Sequence, residues 1–471
     1  MTLGGFWFGG EAALVVIALG LPLVLAIAGL AGTVAPTGMR VIDTLDGILS
    51  GQAQSGRTTG CFVIQFDDPQ RLLDRYGRTT QSDILACCID RIKGAMRLGD
   101  VLAPLEDGSI ALVLAPVHRL DLETMVQIAG RIQMVMHQPV DLGAEVIHVT
   151  CSIGFCQAQR APQATGRALL DAAQIAVDEA RRHGPGSIRA FSADMAAVRA
   201  TRDALRDAIG LALETGQIKA HFQPELSTDT GAVSGMEALA RWYHPERGCL
   251  MPAEFLPAIE GSALIERLSQ VMVTNALTAL AAWDRAGFAV PTVSVNFSAT
   301  ELGDPGLPDR IRWELDRFDL TPQRLTIEVL ETVVATSDSD QIAANIAALA
   351  AMGCGIDLDD FGTGNTSITT IRRFALRRLK IDRSFVTGVD HDRDQQKLVA
   401  AILSLAEQLG LETLAEGVET GPEHAMLAQL GCGHVQGYAI ARPMPVEEVT
   451  PWMTRHTSRM ATTPRIGLSA R

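Results

Sequence analysis

The chain has 471 residues, which is longer than one ordinary domain and fits two or three. Hydrophobic residues make up 47% and charged residues 20%, so most of the chain can form buried cores. The formal net charge of −14 argues against a protein that binds nucleic-acid polymers through phosphate contacts. A small anionic ligand is compatible with this charge, because metal ions can dominate the electrostatics of one pocket.

An uncharged run extends from residue 12 to residue 31, and a helix of that length covers the ~30 Å hydrocarbon core of a bilayer. No Lys or Arg precedes Arg40, so the basic leading segment of a cleaved signal peptide is missing. The positive-inside rule places the residues after the run in the cytoplasm. We therefore predict a membrane anchor within residues 1–40 that contacts lipid, with cytoplasmic soluble domains. The alternative is an apolar helix docked on the soluble body.

The middle of the chain is predicted to be a linker followed by a mixed α/β domain. Residues 41–58 include small and polar residues and are typical of a juxtamembrane linker. In the following domain, residues 59–195, strand-like runs alternate with helical periodicity. The strands are predicted at 61–66, 109–114 and 146–153, and the helices at 83–96, 122–136 and 166–182. A helix over 198–213 joins the two halves.

From residue 196 to residue 450, about eight apolar strand-like runs alternate with helices over ~250 residues, which predicts a TIM-type barrel. A doubly wound open sheet is the alternative that periodicity leaves open. Polar residues stand at the ends of most of these strands, and in a barrel such ends meet at one mouth. The polar positions are Gln223, Glu237, Asn296, Glu328, Asp359, Asp360, Lys380, Glu416 and Gln436.

Five of these side chains are acidic, and Lys380 and Arg241 supply only two positive charges. Acids at such close range need compensation, which divalent cations would provide. The candidate ligands are oxygen donors without a His or Cys pattern, which favours Mg²⁺ or Mn²⁺ over zinc. The adjacent Asp359 and Asp360 suit two neighbouring metal ions, an arrangement used for displacement at phosphorus.

Glu237-Ala238-Leu239-Ala240-Arg241 resembles the E-A-L-x-R signature of EAL-domain cyclic di-GMP phosphodiesterases. Further blocks over roughly residues 205–450 are similar to that family and stand in the same order. They are Q-P at 223–224, V-N-F-S at 295–298, I-E-V-L-E-T at 327–332, D-D-F-G-T-G at 359–364, L-K-I-D-R-S-F-V at 379–386, A-E-G-V-E-T at 415–420 and Q-G-Y at 436–438.

The resemblance implies a modified TIM barrel whose first strand is antiparallel, two Mg²⁺ or Mn²⁺ ions per active site, and a homodimer formed through the EAL domain. One ion would be held by Glu237, Asn296, Glu328 and Asp359, and the other by Asp359, Asp360 and Glu416. Lys380 would orient the water that attacks phosphorus, with Glu237 and Glu416 as further catalytic residues. Gln223, Arg241 and Gln436 would contact cyclic di-GMP, and the product would be linear pGpG.

Two further positions and one departure follow from the same resemblance. Glu419 resembles the glutamate that supports the loop after Asp360, and Asp382 is either a site residue or a structural partner. Asn365 stands where the family usually has an aromatic residue, in a loop that couples dimerisation to metal binding. The metal ligands are all retained, so this departure concerns regulation and rate.

The stretch at 64–77 resembles the metal-binding opening of GGDEF-type diguanylate cyclases, but Gln65 and Leu73 replace the expected Asp and Asn. The signature itself falls on E-D-G-S-I at 106–110, which lacks both the first two glycines and the two acids that follow. We therefore predict a degenerate, regulatory domain without cyclase activity. Arg97 and Asp100 have the spacing of that family's cyclic di-GMP inhibitory site, and a surface Arg–Asp pair is the alternative explanation.

Residues 451–471 contain several basic residues and no acid, which indicates a flexible basic tail. Together these features predict a phosphodiesterase anchored in the bacterial inner membrane by a single span. Two alternatives belong to other functional classes: a receptor that binds cyclic di-GMP without cutting it, and a scaffold that acts through its N-terminal half.

Overall fold

The computed structural model describes residues 37–141, 146–336, 340–364 and 367–462. The chain divides into two compact units, residues 1–201 and 202–471. The membrane anchor predicted at 12–31 lies outside the described residues. Within them, we find no helix that combines the length and the apolar character needed to cross a bilayer.

The strands of the first unit are β1 (Gly60–Phe66), β2 (Val101–Pro104), β3 (Ile110–Val113), β4 (Val140–Asp141), β5 (Val146–Ile147), β6 (Cys151–Gln157) and β7 (Ile188–Ala190). β4 and β5 form a separate pair, and the other five strands form one sheet in the order β2-β3-β1-β6-β7. β1 pairs antiparallel with both β3 and β6, whereas β6 and β7 are parallel. The helix Gly166–Arg182 crosses β6 at Gly154, where a Cβ atom would lie 2.0 Å from the backbone nitrogen of Val177.

In place of the linker predicted at 41–58, the structure has the helix Thr37–Ser55. Val41 and Leu45 are fully buried and pack with Leu169 of the helix Gly166–Arg182. Asp46 adds a polar contact, since its carboxylate accepts a 2.6 Å hydrogen bond from the backbone of Gly166. These residues therefore contribute to the core of the first unit. Its other helices are Pro69–Ala95, which is broken at Gly77 by a non-helical backbone conformation, Leu122–Met136 and Ala193–Glu214, which extends past residue 201.

The second unit is a closed barrel. Its strands are β8 (Ile218–Ser227), β9 (Val233–His244), β10 (Gly248–Leu250), β11 (Val293–Phe297), β12 (Leu325–Leu330), β13 (Gly355–Phe361), β14 (Arg378–Ile381), β15 (Glu412–Ala415), β16 (His434–Gln436) and β17 (Met444–Pro445). Their order in the sheet is β10-β9-β11-β12-β13-β14-β15-β16-β8-β17, and an additional β9–β8 pairing closes the ring. β8 is antiparallel to both β9 and β16, while the strands from β9 through β16 in the ring run parallel. The closure excludes the open doubly wound sheet.

Helices cover the outside of the barrel and their ends carry local signals. Thr420 caps the helix Gly421–Leu430 in a capping box with Glu423, and Gly410 ends the helix Arg393–Leu409 in the left-handed conformation. The helix Val446–Thr462, with Val449 and Met453 buried, occupies much of the region predicted to be a flexible tail at 451–471. The remaining helices are Pro252–Ile259, Leu264–Arg285, Ala299–Leu302, Leu307–Arg317, Glu331–Thr336, Asp340–Met352, Ile368–Ile371 and Arg383–Val386.

Candidate active site

The mouth of the barrel is organised around Lys380, which is fully buried at the end of β14. Its ammonium nitrogen lies close to carboxylate oxygens from four other strands or strand ends. The distances are 2.6 Å to Glu416, 3.0 Å to Glu328, 3.1 Å to Asp359 and 3.8 Å to Glu237. The polar strand ends predicted from the sequence to converge are therefore brought together around one cation.

Three amide side chains extend this cluster on the side of Glu237. Asn296 donates a 3.0 Å hydrogen bond to one carboxylate oxygen of Glu237, and Gln436 donates a 2.6 Å hydrogen bond to the other. The Gln436 amide nitrogen also donates a 3.2 Å hydrogen bond to the side-chain oxygen of Gln223, and the amide nitrogen of Gln223 donates to the carbonyl oxygen of Ala441. Both oxygens of Glu237 are thus held in place by side chains of two other strands, β11 and β16.

Asp359 and Asp360 reach the mouth together because β13 contains a bulge. Leu358 pairs with Leu379 and Phe361 pairs with Ile381, so two residues of β13 stand opposite Lys380 alone. Successive side chains of a regular strand point to opposite faces, whereas Asp360 adopts a left-handed backbone conformation with φ of 54°. One oxygen from each of Asp359, Asp360 and Glu416 lies within 4.8 Å of the others.

Burial and like charge act strongly on these acids. Burial, together with Glu237 and Asp359, raises the pKa of Glu328 well above its ordinary value. Burial raises the pKa of Glu416 in the same way, and burial with the neighbouring Asp359 raises the pKa of Asp360 to about 6. Burial by itself would lower the pKa of Lys380, but the surrounding carboxylates raise it well above its ordinary value. One ammonium group therefore leaves the acid cluster short of positive charge.

The donor set fits hard divalent cations. The Oε1 atom of Glu328 is fully buried and has no hydrogen-bond partner among the described residues, so a polar acceptor is available inside the mouth. The clustered acids and the side-chain oxygen of Asn296 are all oxygen ligands, which Mg²⁺ and Mn²⁺ prefer. A divalent ion would also remove the repulsion that raises the pKa values of Glu328 and Glu416.

Glu331 is a site residue that the sequence reasoning missed. It is buried in the first turn of the helix Glu331–Thr336, and its Oε2 atom accepts hydrogen bonds from the backbone nitrogens of Gly362 and Gly364 at 2.7 and 3.1 Å. The loop after Asp360 is thus supported by Glu331, whereas Glu419, which was expected there, pairs with Arg383 at 2.8 Å. The signal available was its place three residues after Glu328, at the start of the helix.

Two other predicted site residues, Asp382 and Arg241, lie near the cluster around Lys380. Asp382 caps the helix Arg383–Val386 by accepting from the backbone of Ser384, and its charge contributes to the raised pKa of Asp360. Arg241 is buried four residues beyond Glu237 on β9 and donates to the carbonyl of Ala240 at 2.7 Å. Asn365 lies outside the described residues.

In the first unit, the acids near the degenerate motifs serve local structure. Asp67 accepts from the hydroxyl of Ser152 at 2.5 Å and from the backbone of Gly186 at 2.9 Å. Asp100 accepts from the backbone of Arg97 at 3.0 Å and of Ala115 at 2.8 Å, so both of its oxygens are engaged, while the Arg97 side chain is exposed.

Comparison with known proteins agrees with the division of the chain into two units. The sequence model of the EAL domain matches residues 202–443, and that of the diguanylate cyclase GGDEF domain matches residues 41–187. The chain is 31% identical over 414 residues to the bifunctional diguanylate cyclase/cyclic di-GMP phosphodiesterase MucR of Pseudomonas aeruginosa, an alignment that covers 88% of this chain and 60% of the relative. It is 30% identical to the cyclic di-GMP phosphodiesterase NbdA of the same species, over 83% of this chain and 49% of the relative.

Among solved structures, the PaMucR phosphodiesterase in complex with c-di-GMP is 38% identical to this chain. The match covers 52% of this chain and 99% of that structure, with a TM-score of 0.50. The chain spans about half to three fifths of the length of these curated relatives.

Proposed function

The chain belongs to the EAL domain family, and from this premise we propose that it hydrolyses cyclic di-GMP to linear pGpG in a metal-dependent reaction. The relatives MucR and NbdA are both named as cyclic di-GMP phosphodiesterases. The observation that carries the proposal is the cluster of four carboxylates within 3.8 Å of the Lys380 ammonium nitrogen. Burying such a cluster is unfavourable in free energy, and a role in binding metal ions explains why it is buried.

Two Mg²⁺ or Mn²⁺ ions would be held by the clustered oxygen donors. The first ion would use Glu237, Asn296, Glu328 and Asp359, and the second would use Asp359, Asp360 and Glu416. When bound, such ions supply an acidified water and positive charge at the phosphoryl oxygens. The hydrogen bonds from Asn296 and Gln436 orient the carboxylate of Glu237 before any ligand arrives.

Lys380 acts as a fixed positive charge. Its nitrogen lies 2.6–3.8 Å from four carboxylates, which favour the protonated ammonium form, so it is placed to serve as a hydrogen-bond donor. Its buried position holds that charge beside the reacting phosphoryl group, where negative charge increases in the transition state. The same charge offsets part of the repulsion among the surrounding acids.

Three further side chains are proposed to bind the dinucleotide. Arg241 offers a planar guanidinium group suited to a phosphate, and it lies on the same strand as Glu237. Gln223 and Gln436 form a hydrogen-bonded pair that also contacts Glu237, which couples substrate contacts to the metal ligands. Asp382, at the start of the helix Arg383–Val386, is proposed to support this region through the helix cap.

The first unit is proposed to regulate the barrel without cyclase activity. MucR is named as bifunctional, whereas this chain has Gln65 and Leu73 in place of the expected metal-binding Asp and amide residue. Gly108 and Ser109 replace the two acids of the signature. Anchoring by residues 12–31 in the inner membrane, with the described units in the cytoplasm, and dimerisation through the EAL domain remain part of the proposal on the sequence arguments above.

The test is an assay for pGpG with purified chain, cyclic di-GMP and either Mg²⁺ or Mn²⁺. Glu237→Gln keeps the size of the side chain and removes its charge, and we expect it to abolish product formation. Glu412→Gln, at an exposed position of β15, is the matched control and should retain activity. Binding of cyclic di-GMP without any pGpG, with either ion, would support the receptor instead. A cellular phenotype that Glu237→Gln leaves unchanged would support the scaffold.

A further inference from the structure

A second layer of charged side chains lies inside the barrel below the metal-binding mouth. Arg378 on β14 contacts Asp357 on β13, with Nε and Nη2 at 2.7 and 2.6 Å from the same carboxylate oxygen. Its Nη1 atom contacts Glu225 on β8 at 2.6 Å. All three side chains are at most 4% exposed. We call Glu225, Asp357 and Arg378 the Arg378 bridge.

The Arg378 bridge lies two residues along the strands from the proposed site. Asp357 precedes Asp359 by two residues and Arg378 precedes Lys380 by two, so each pair shares one face of its strand. β8 and β13 stand four strands apart in the eight-strand ring, so the guanidinium group spans the barrel interior between opposite walls. Gly235 leaves room for the Glu225 carboxylate, since a Cβ atom at residue 235 would lie 2.7 Å from Oε2 of Glu225.

The bridge also stands immediately below the bulge that brings Asp359 and Asp360 together. The pairs Asp357–Arg378 and Leu358–Leu379 are the last regular ones before the register shifts. Bulges are rare between parallel strands and occur often beside active sites, where they re-aim a side chain. The left-handed backbone of Asp360 adds strain that the surroundings must balance. A fixed register below the bulge is therefore needed to hold it at one position.

Stability alone is a weak explanation for these buried charges. The interior of such barrels is ordinarily filled by layers of branched apolar side chains. A buried ion pair loses much of its attraction to desolvation, and replacing it by apolar residues is often neutral or stabilising. What an apolar layer cannot supply is a directional link between three particular strands, which the fork of an arginine provides.

We infer that the Arg378 bridge is a positioning device: it fixes the β13–β14 register below the bulge, so that Asp359, Asp360 and Lys380 face the mouth together. This inference rests on the proposed function, because its effect is exerted on the metal-binding site. Arg378, Asp357 and Glu225 are positioning residues in this proposal, because they act through the residues two positions along each strand.

The test measures Mn²⁺ affinity by calorimetry on the full chain, together with kcat and KM for cyclic di-GMP. Asp357→Asn removes one charge at nearly constant shape, and Arg378→Lys keeps the charge but loses the fork. We expect Mn²⁺ binding to weaken by about 10- to 100-fold in each, as for other residues that orient metal ligands. Gly235→Ala keeps all three charged groups but displaces Glu225, and it should weaken binding in the same direction if either of the first variants fails to fold.

Leu315→Ala is the control for a general loss of stability, because Leu315 is a fully buried core residue of the helix Leu307–Arg317, which packs against the helices Leu264–Arg285 and Asp340–Met352. It should lower the melting temperature and leave Mn²⁺ affinity unchanged. Bridge variants that bind Mn²⁺ as tightly as the wild type, or a control that loses affinity equally, would overturn the role of the bridge alone. A wild-type chain that binds no Mn²⁺ would overturn the metal proposal and the bridge's role with it.

Discussion

Replacing Lys380 by methionine is the perturbation whose consequences the site geometry defines most directly. The substitution keeps the length of the side chain and leaves four carboxylates without the ammonium group that lies 2.6–3.8 Å from them. Removing one partner of a buried ion pair costs about 3–5 kcal/mol. For a barrel of this size, that corresponds to a melting temperature lower by about 6–20 °C. Activity should fall by about 10²–10³-fold as well, as when other transition-state hydrogen-bond donors are removed.

The assay is thermal unfolding in EDTA, followed by tryptophan fluorescence, since Trp242 and Trp283 are buried in the barrel core. Lys397→Met is the matched control, because Lys397 forms an exposed ion pair with Asp394 and such pairs contribute little to stability. Added Mn²⁺ should restore much of the lost melting temperature in Lys380→Met, because the ions replace the missing positive charge. Equal shifts for the two variants in EDTA would refute the claim that Lys380 compensates the acid cluster.

Three other outcomes are expected. Glu331→Ala removes the carboxylate that accepts two backbone hydrogen bonds, and each such bond to a charged group contributes about 1.5–3 kcal/mol. Amide exchange at Gly362 and Gly364 should therefore accelerate, and kcat should fall. Unchanged exchange would contradict the support of this loop by Glu331. Because the pKa of Asp360 is raised to about 6, protons compete with metal ions for its carboxylate below that pH. The increase in melting temperature caused by Mn²⁺ should therefore be larger at pH about 7 than at pH about 5. An equal increase at both pH values would contradict this competition. The chain incubated with GTP and Mg²⁺ should form no cyclic di-GMP, as judged by chromatography, whereas any product would show that the first unit retains catalysis.

Much of the barrel and its mouth could be predicted because strand ends are local features. Polar residues such as Glu237, Glu328 and Lys380 each follow an apolar run, and a parallel barrel necessarily brings such positions to one end. The predicted segments at 41–58 and 451–471 show the opposite situation. Small and polar residues indicated a linker, and basic residues without acids indicated a tail, but Val41 and Met453 are buried by packing against distant parts of the chain, which composition does not encode.

The residue that supports the loop after Asp360 could not be assigned from the sequence because the assignment depends on three-dimensional neighbours. Glu331 and Glu419 both stand three residues after a predicted ligand, so spacing does not distinguish them. The closed barrel places Glu331, at the end of β12, beside the loop that follows the adjacent β13, whereas Glu419 reaches Arg383. The bulge at Asp359 and Asp360 was equally out of reach, since adjacent aspartates in a sequence do not reveal which faces of a strand they occupy.

Neutralising Glu328 beside Lys380 and neutralising Glu225 in the Arg378 bridge should change the stability in opposite directions in the absence of metal. Burial and like charge raise the pKa of Glu328, so its ionised form opposes folding at neutral pH, and Glu328→Gln should raise the melting temperature in EDTA. Burial alone would raise the pKa of Glu225 as well, but the guanidinium of Arg378 holds it below its ordinary value. Its charge therefore stabilises the fold above its unfolded pKa, and Glu225→Gln should lower the melting temperature. A lower melting temperature in both variants would show that the acids around Lys380 are already compensated and that metal affinity does not arise from their excess negative charge.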